Sequence, residues 1–483
     1  MMKNICIVGT GAAGWMSCAY LASMSSIIGK ITIIGSPNIP SIGVGESNTM
    51  SLLDFHNKIG VNHREFVSQT DAAVKYGVMY QNWSKNDFLH GFKNNKLFND
   101  RYGVSLSQFF RFLVNKPKED HIYKYFGGQL DAIISENNVV QNDESTFPFT
   151  WHFDAGLYIK FLSKFCKGFK NVEFISGTVK HVEKNGKSIK HIVLDDGTVI
   201  SEDYYVFATG YHDLLNDEYV DINDVLLTNK ALVYPLQFTD RRKEFHPYTV
   251  AKTMKHGWRW ITPTYSRIGT GYVFSSNHVS VDEAKDEFVK DIGQDIEPMV
   301  VDFYPRYNKE SFKDNYCTVG LSNGFLEPLD APGLTLSIES LRHLISLFIN
   351  ETKNNDKNIL KQLTTNANEV MEHRYKFWTA FILCQYKTCW RDDTQFWIDH
   401  KNVSYDYYDY TLNMLDNLYN SYNDYTMFTH TIAAKDQTWK TFTPCNVMPF
   451  VEPQVNHLKT VHHRDYVESF RSNINYNRHP ALL

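Results

Sequence analysis

The stretch NICIVGTGAAGWMSCAYLA, Asn4 to Ala22, decides the fold. Asn4 to Val8 is a short apolar run with isoleucine and valine, the composition of a buried strand. Gly9, Gly11 and Gly14 then give a GxGxxG spacing, and the residues after Gly14 have helical composition. The first glycine permits a tight turn, the second lets backbone approach a pyrophosphate, and the third lets helix and strand pack closely. With Ala12 and Ala13 between them, they open a helix whose N-terminus offers N–H donors and a positive dipole end to phosphates. A second apolar run, KITIIG at residues 30–35, follows at the interval of a βαβ unit. A dinucleotide-binding α/β core is predicted.

The motifs around this unit favour FAD over NAD. An acidic residue that would hold a ribose is missing at the end of the second strand, where Gly35 and Ser36 stand, so Ser36 offers only its hydroxyl. IGVGESNT at residues 42–49 adds Ile42, Val44, Gly45 and Glu46 as candidate contacts, and Ala208-Thr209-Gly210 resembles the second nucleotide-contact motif of flavoproteins. Gly269-Thr270-Gly271 lies inside a strand-like run with no helix after it and reads as strand, so no nicotinamide site is evident.

Further along, Asn185-Gly186 and Asp196-Gly197 mark β-hairpins, and Tyr204 to Gly210 is another apolar run ending in glycine. From about residue 335 the pattern turns helical, with Ile338, Leu341, Leu344, Ile345 and Phe348 at three- and four-residue steps. The Tyr-rich segment beginning SYDYYDY has no exact repeat, and the tail RSNINYNRHPALL is expected to be irregular. In HGWRWITPT, Trp258 and Trp260 are two apart, so on a strand both indoles face one side and Arg259 the other. Such a pair is core packing or the lining of a site.

A chain of 483 residues, 43% hydrophobic and 14% aromatic, is long enough to bury a large core in more than one substructure. The net charge of -5, from 49 basic and 54 acidic side chains, makes no case for nucleic acid or a membrane surface. A small molecule is the expected ligand. Seven scattered cysteines without a CxxC pair fit a reducing cytoplasm and offer no metal framework. No run approaches the roughly 20 apolar residues of a membrane span.

Seven stretches in order resemble the flavin-dependent halogenases, in the branch typified by tryptophan halogenases. They are GTGAAGW at residue 9, IGVGES at 42, AAVKYGVMYQNW at 72, GWRWITP at 257, YVFSSNHVSVDEA at 272, VGLSNGFLEPLDAPG at 319 and RDDTQFW at 391. The resemblance implies an α/β fold with an FAD-binding Rossmann-like core of the flavin monooxygenase type, added β-sheet and a mainly helical C-terminal substrate region. It suggests a core over 1–350, with inserted segments near 50–150 and a β-rich stretch at 220–300, followed by a helical region over 351–483. Reduced FAD from a separate flavin reductase, O2 and halide are the implied cofactors, and a small aromatic molecule the substrate. A homo-oligomer is expected.

The family's residues carry over position by position. An essential lysine that presents electrophilic halogen to the ring matches Lys75. From the residues alone, VKYGVMY alternates, placing Lys75, Gly77 and Met79 on one side; such a lysine is partly desolvated, which favours the neutral amine. The other reading is a lysine snorkelling to water at a sheet edge. The family's catalytic glutamate, in a segment like EPLEST, matches Asp330, shorter in reach by about 1.5 Å; a carboxylate capping a turn is its bland reading. Halide is held in the family by backbone N–H groups at positions matching Pro332 and Gly333, and proline has no N–H. A weakened donor set favours larger, less hydrated bromide or iodide over chloride.

His90 and Phe92, in FLHGF, match a segment placed against the substrate ring, and core packing is their alternative role. Trp258 and Trp260 satisfy the family's WxWxIP signature, with Thr262 replacing isoleucine, and are implied to wall the passage between flavin and substrate. Val179, Gly320, Leu321 and Leu334 complete the implied flavin contacts. Two other readings remain: an FAD-dependent aromatic monooxygenase, and a non-catalytic FAD-binding protein.

Overall fold

The computed structural model describes residues 2–39, 47–84, 87–92, 149–353 and 356–409. Ile42, Val44, Gly45 and Glu46, the Tyr-rich segment beyond residue 409 and the C-terminal tail lie outside them. The chain forms two compact units, each built from three segments. The first takes Met1–Ala72, Phe153–Asn223 and Phe303–Trp378; the second takes Ala73–His152, Asp224–Asp302 and Thr379–Leu483.

The first unit is organised by a five-stranded parallel sheet. Its spatial order is Tyr316–Thr318, Tyr204–Phe207, Lys3–Val8, Ile28–Gly35, Val172–Ser176. The order reverses beside Lys3–Val8, so the carboxyl ends of this strand and of Tyr204–Phe207 flank a topological switch point, where open α/β sheets bind ligands. Helix Ala12–Ala22 returns from the first strand to the second and is buried from Gly14 onward, its alanines, serine and glycine permitting close approach. An antiparallel sheet of Val179–Asn185, Ser188–Leu194 and Val199–Ile200 contributes Ile189, Ile192, Leu194 and Ile200 to a cluster with Val8, Ile34, Phe207 and Tyr316. In the helix Pro332–Lys353, the predicted stripe Ile338, Leu341, Leu344, Ile345 and Phe348 is buried. Each such side chain is worth about 1.5–3 kcal/mol of transfer from water.

A seven-stranded sheet dominates the second unit, in the order Met299–Asp302, Lys230–Gln237, Arg267–Phe274, Gly257–Pro263, Thr249–Met254, Gly77–Gln81, Phe88–Gly91. All its pairs are antiparallel except Thr249–Met254 with Gly77–Gln81. The helix Val281–Ile292 begins with a capping box of Ser280 and Glu283 and packs Ala284 and Phe288 against Leu232, Tyr272 and Phe274. A separate two-stranded sheet pairs Ala73–Lys75 with Thr150–His152. No described helix is long and apolar enough to cross a membrane. The mixed α/β architecture with helices toward the C-terminus agrees with the predicted fold class.

Candidate active site

In the first unit, the glycine-rich turn is tight and closely packed. Gly9 has φ +113°, and a β-carbon there would stand 2.1 Å from the Ala208 carbonyl oxygen; one at Gly14 would stand 2.0 Å from the Gly9 oxygen. Gly11 differs. Among the described residues, a β-carbon there meets no heavy atom within 4 Å beyond the adjoining backbone, and the helix it opens has neither a side-chain cap nor an acidic residue in its first turn. The N–H donors and positive dipole end therefore face open space, which suits a pyrophosphate.

Gly9, Gly11, Ala12, Ala13, Ser36, Val179, Gly320, Leu321 and Leu334 are all partly exposed. Gly320, at φ +69°, comes so close to Ala13 that a β-carbon would lie 2.6 Å from the alanine methyl. Gly35 is explained by crowding: an added β-carbon would lie 2.6 and 2.7 Å from the Thr10 side chain. The hydroxyls of Ser36 and Thr178 are hydrogen-bonded at 2.7 Å, and Ser36 Oγ also accepts the Asn38 N–H. Thr209 donates its N–H to Ser322 Oγ at 2.7 Å, joining the motif after Tyr204–Phe207 to the segment after Gly320.

The segment EPLDAPG runs into the helix Pro332–Lys353. Glu327 is fully buried, and Asp330 and Ala331 are consecutive left-handed residues, at φ +58° and +55°. Aspartate tolerates that region better than most side chains and alanine poorly, so the turn carries local strain. Pro332 opens the helix, where its missing N–H costs the helix nothing. Pro332 and Gly333 thus sit in a first turn with no acidic residue.

In the second unit, Trp258 and Trp260 share a face of strand Gly257–Pro263, 2% and 8% exposed, with ring centroids 6.3 Å apart. Trp260 lies opposite Gly271 on one neighbouring strand and Ala251 on the other. Both are small, and a β-carbon at Gly271 would lie 2.1 Å from the Trp260 ring. The glycine that reads as plain strand is a seat for the indole. Arg259 points the other way, donating to Thr270 Oγ1 at 3.0 Å and Asp291 at 2.8 Å.

Lys75 is fully buried, so it does not snorkel to water. Its Nζ lies 5.4 Å from the centre of the Phe92 ring, within cation–π range. His90, on the strand pairing with Gly77–Tyr80, packs near Tyr80 and Phe381, with centroids 6.5 and 5.9 Å away.

The continuous alternation read from VKYGVMY is corrected. Ala73–Lys75 and Gly77–Gln81 belong to different sheets, and the break falls at Tyr76, whose N–H donates to Pro247 and whose carbonyl accepts the Phe92 N–H. Lys75 therefore stands where the chain passes between sheets.

Sequence reasoning misses His152. It is fully buried, with Nδ1 2.8 Å from the Pro263 carbonyl oxygen and Nε2 2.8 Å from Thr249 Oγ1. Burial, then the neighbouring charge of Lys75, hold it well below the usual histidine range. A polar residue alternating with Trp151 and Phe153 is the available signal.

The model of the family described as tryptophan halogenase matches residues 4–449. The chain belongs to the tryptophan halogenase family. Tryptophan 7-halogenase RebH of Lentzea aerocolonigenes is 28% identical over 429 residues, 83% of this halogenase and 79% of that protein. Tryptophan 6-halogenase ThaL of Streptomyces albogriseolus is 27% identical over 432 residues, 83% and 79%. Among solved structures, the tryptophan 6-halogenase SttH of Streptomyces toxytricini superposes with a TM-score of 0.82 at 23% identity, covering 98% of this halogenase and 99% of its own chain. The tryptophan halogenase of Shewanella frigidimarina superposes at 0.80 and 20% identity, covering 99% and 96%. These structures share the halogenase fold.

Proposed function

We propose that this enzyme halogenates an electron-rich aromatic small molecule, using reduced FAD, O2 and halide, with Lys75 as the amine that delivers halogen. The observation that carries the reading is a wholly buried lysine beside an aromatic ring. Burying an ammonium-bearing side chain is costly, and a chemical role accounts for it better than stability does.

The FAD pyrophosphate is assigned to Gly9, Gly11, Ala12, Ala13 and Gly14, with Ser36, Val179, Gly320, Leu321 and Leu334 around it. Ile42, Val44, Gly45 and Glu46 are proposed to join them. The reduced flavin, received from a separate reductase, supplies with O2 the oxidising equivalent that turns halide into hypohalous acid. Lys75 binds that acid and aims its halogen at the ring carbon; the ring loses a proton, and water leaves. Asp330 is the proposed carboxylate for that proton. Trp258 and Trp260 give the site a rigid wall, and His90 and Phe92 contact the substrate.

Pro332 and Gly333 are the proposed halide positions. With one N–H fewer, they favour bromide or iodide over chloride, because desolvating the smallest anion requires the best donors. The substrate class includes phenols and indoles; the relatives' names make free tryptophan one member.

The test supplies reduced FAD, O2 and bromide with a mixture of an indole and a phenol, and reads product masses. Bromination is expected. Oxygen addition would indicate an aromatic hydroxylase, and unchanged substrates a non-catalytic flavoprotein. Halide competition in the same assay checks the Pro332 argument, which a marked chloride preference would refute.

A further inference from the structure

Lys75 and Thr150 are paired across the two-stranded sheet, followed by Val74 with Trp151 and then Ala73 with His152. Residues two apart on a strand share a face, as do cross-strand partners, so His152 and Lys75 stand on the same face as diagonal neighbours. Their proximity is registered in the histidine, since the charge of Lys75 opposes its protonation.

The hydrogen bonds around His152 define its tautomer. A carbonyl oxygen can only accept, so Nδ1–H donates to Pro263, and the remaining Nε2 lone pair accepts the Thr249 hydroxyl. Both ring nitrogens are occupied by protein partners, which leaves the ring unsuited to carry a proton for the reaction. Its partners are informative. Pro263 ends the strand bearing Trp258 and Trp260, and Thr249 begins the strand that lies between that strand and Gly77–Gln81. One buried imidazole therefore ties the sheet that carries Lys75 to the sheet that carries the tryptophans and the strand leaving Tyr76.

We propose that His152 is a positioning residue for Lys75, setting where the amine stands relative to the tryptophan wall through its paired bonds to Pro263 and Thr249. The inference rests on the reading of Lys75 as the halogen-delivering amine. A misplacement of about 1 Å is enough to cost about 100-fold in a reaction that depends on alignment. The consequence is lost capture: hypohalous acid still forms, but less of it reaches the substrate.

The experiment compares the full-length protein with its His152→Phe, His152→Asn and Lys75→Ala variants, all supplied with reduced FAD, O2, bromide and an indole. Brominated indole and free hypobromous acid, caught by a thioether scavenger, are both quantified, and thermal unfolding is recorded. His152→Phe loses both bonds; the expected result is a fall of about tenfold or more in brominated indole, with KM unchanged and released hypobromous acid rising to match. His152→Asn places an amide N–H where Nδ1–H stood and is expected to regain much of the capture. Should the phenylalanine variant not fold, the asparagine variant and Thr249→Val, which removes one bond, make the same comparison.

Wild-type capture in His152→Phe alongside inactive Lys75→Ala would overturn the positioning role alone. That role is equally overturned if product and hypobromous acid fall together and asparagine restores neither, because that pattern belongs to general structural damage. Full bromination by Lys75→Ala would overturn the lysine reading itself, and the positioning role with it.

Discussion

Trp260 faces Gly271 so closely that a β-carbon on the glycine would stand 2.1 Å from the indole. The Leu232 carbonyl oxygen, 2.4 Å from the same point, blocks retreat on the other side. Gly271→Ala must therefore displace the ring or the strand. Overpacking of this kind costs about 1–3 kcal/mol. Thermal unfolding is expected to show the loss, and tryptophan fluorescence the displaced indole; a variant with unchanged emission and stability would mean that the indole is not seated there.

Gly11→Ala is the complementary case. Among the described residues, no atom beyond the adjoining backbone lies within 4 Å of the added carbon, so stability is expected to stay at the wild-type level while flavin affinity falls by at least about tenfold, or about 1.4 kcal/mol. Flavin titration together with thermal unfolding separates the two effects. Unchanged affinity would mean that the open space at the helix N-terminus is not where the pyrophosphate binds.

Acid should destabilise the fold through three buried histidines. Burial lowers His56 and His400 to about 3 and holds His152 well below 6.5. His400 is fixed as a neutral tautomer, with Nδ1 donating to Phe396 and Nε2 accepting the Leu227 N–H. Below 6.5 the unfolded chain takes up protons that the folded chain refuses, so stability falls as pH drops from about 6.5 toward about 3 and is unaffected by these groups above that window. Each histidine contributes up to about 1.4 kcal/mol per pH unit. Melting temperatures at about pH 7.5 and about pH 5 are expected to differ in that direction, and equal values would contradict the buried neutral rings.

What was legible in the sequence was local or periodic. The turn after Val8 declares itself by the spacing of its three glycines between an apolar run and a helical one, and the stripe from Ile338 to Phe348 because one face of a helix is buried at a fixed step. Trp258 and Trp260 announce a shared face by their spacing alone. The rest depends on partners distant in the chain. The strand break at Tyr76 is set by hydrogen bonds with Pro247 and Phe92, and His152 acquires its meaning from Pro263 and Thr249. RDDTQFW is similar: Arg391 and Trp397 both donate to the Met254 carbonyl, and Thr394 donates to that of Lys255. Together they clasp the turn from which the tryptophan strand departs. No spacing within the motif displays that partner.

The central claim is that Lys75 delivers the halogen, and the most direct measurement is the partition of oxidising equivalents in Lys75→Ala. With reduced FAD, O2, bromide and an indole, wild-type protein is expected to yield brominated indole. The variant is expected to bind flavin normally and release hypobromous acid to a scavenger, with brominated indole reduced by at least about 100-fold. Bromination by Lys75→Ala at the wild-type rate and with the wild-type choice of ring position would contradict that claim.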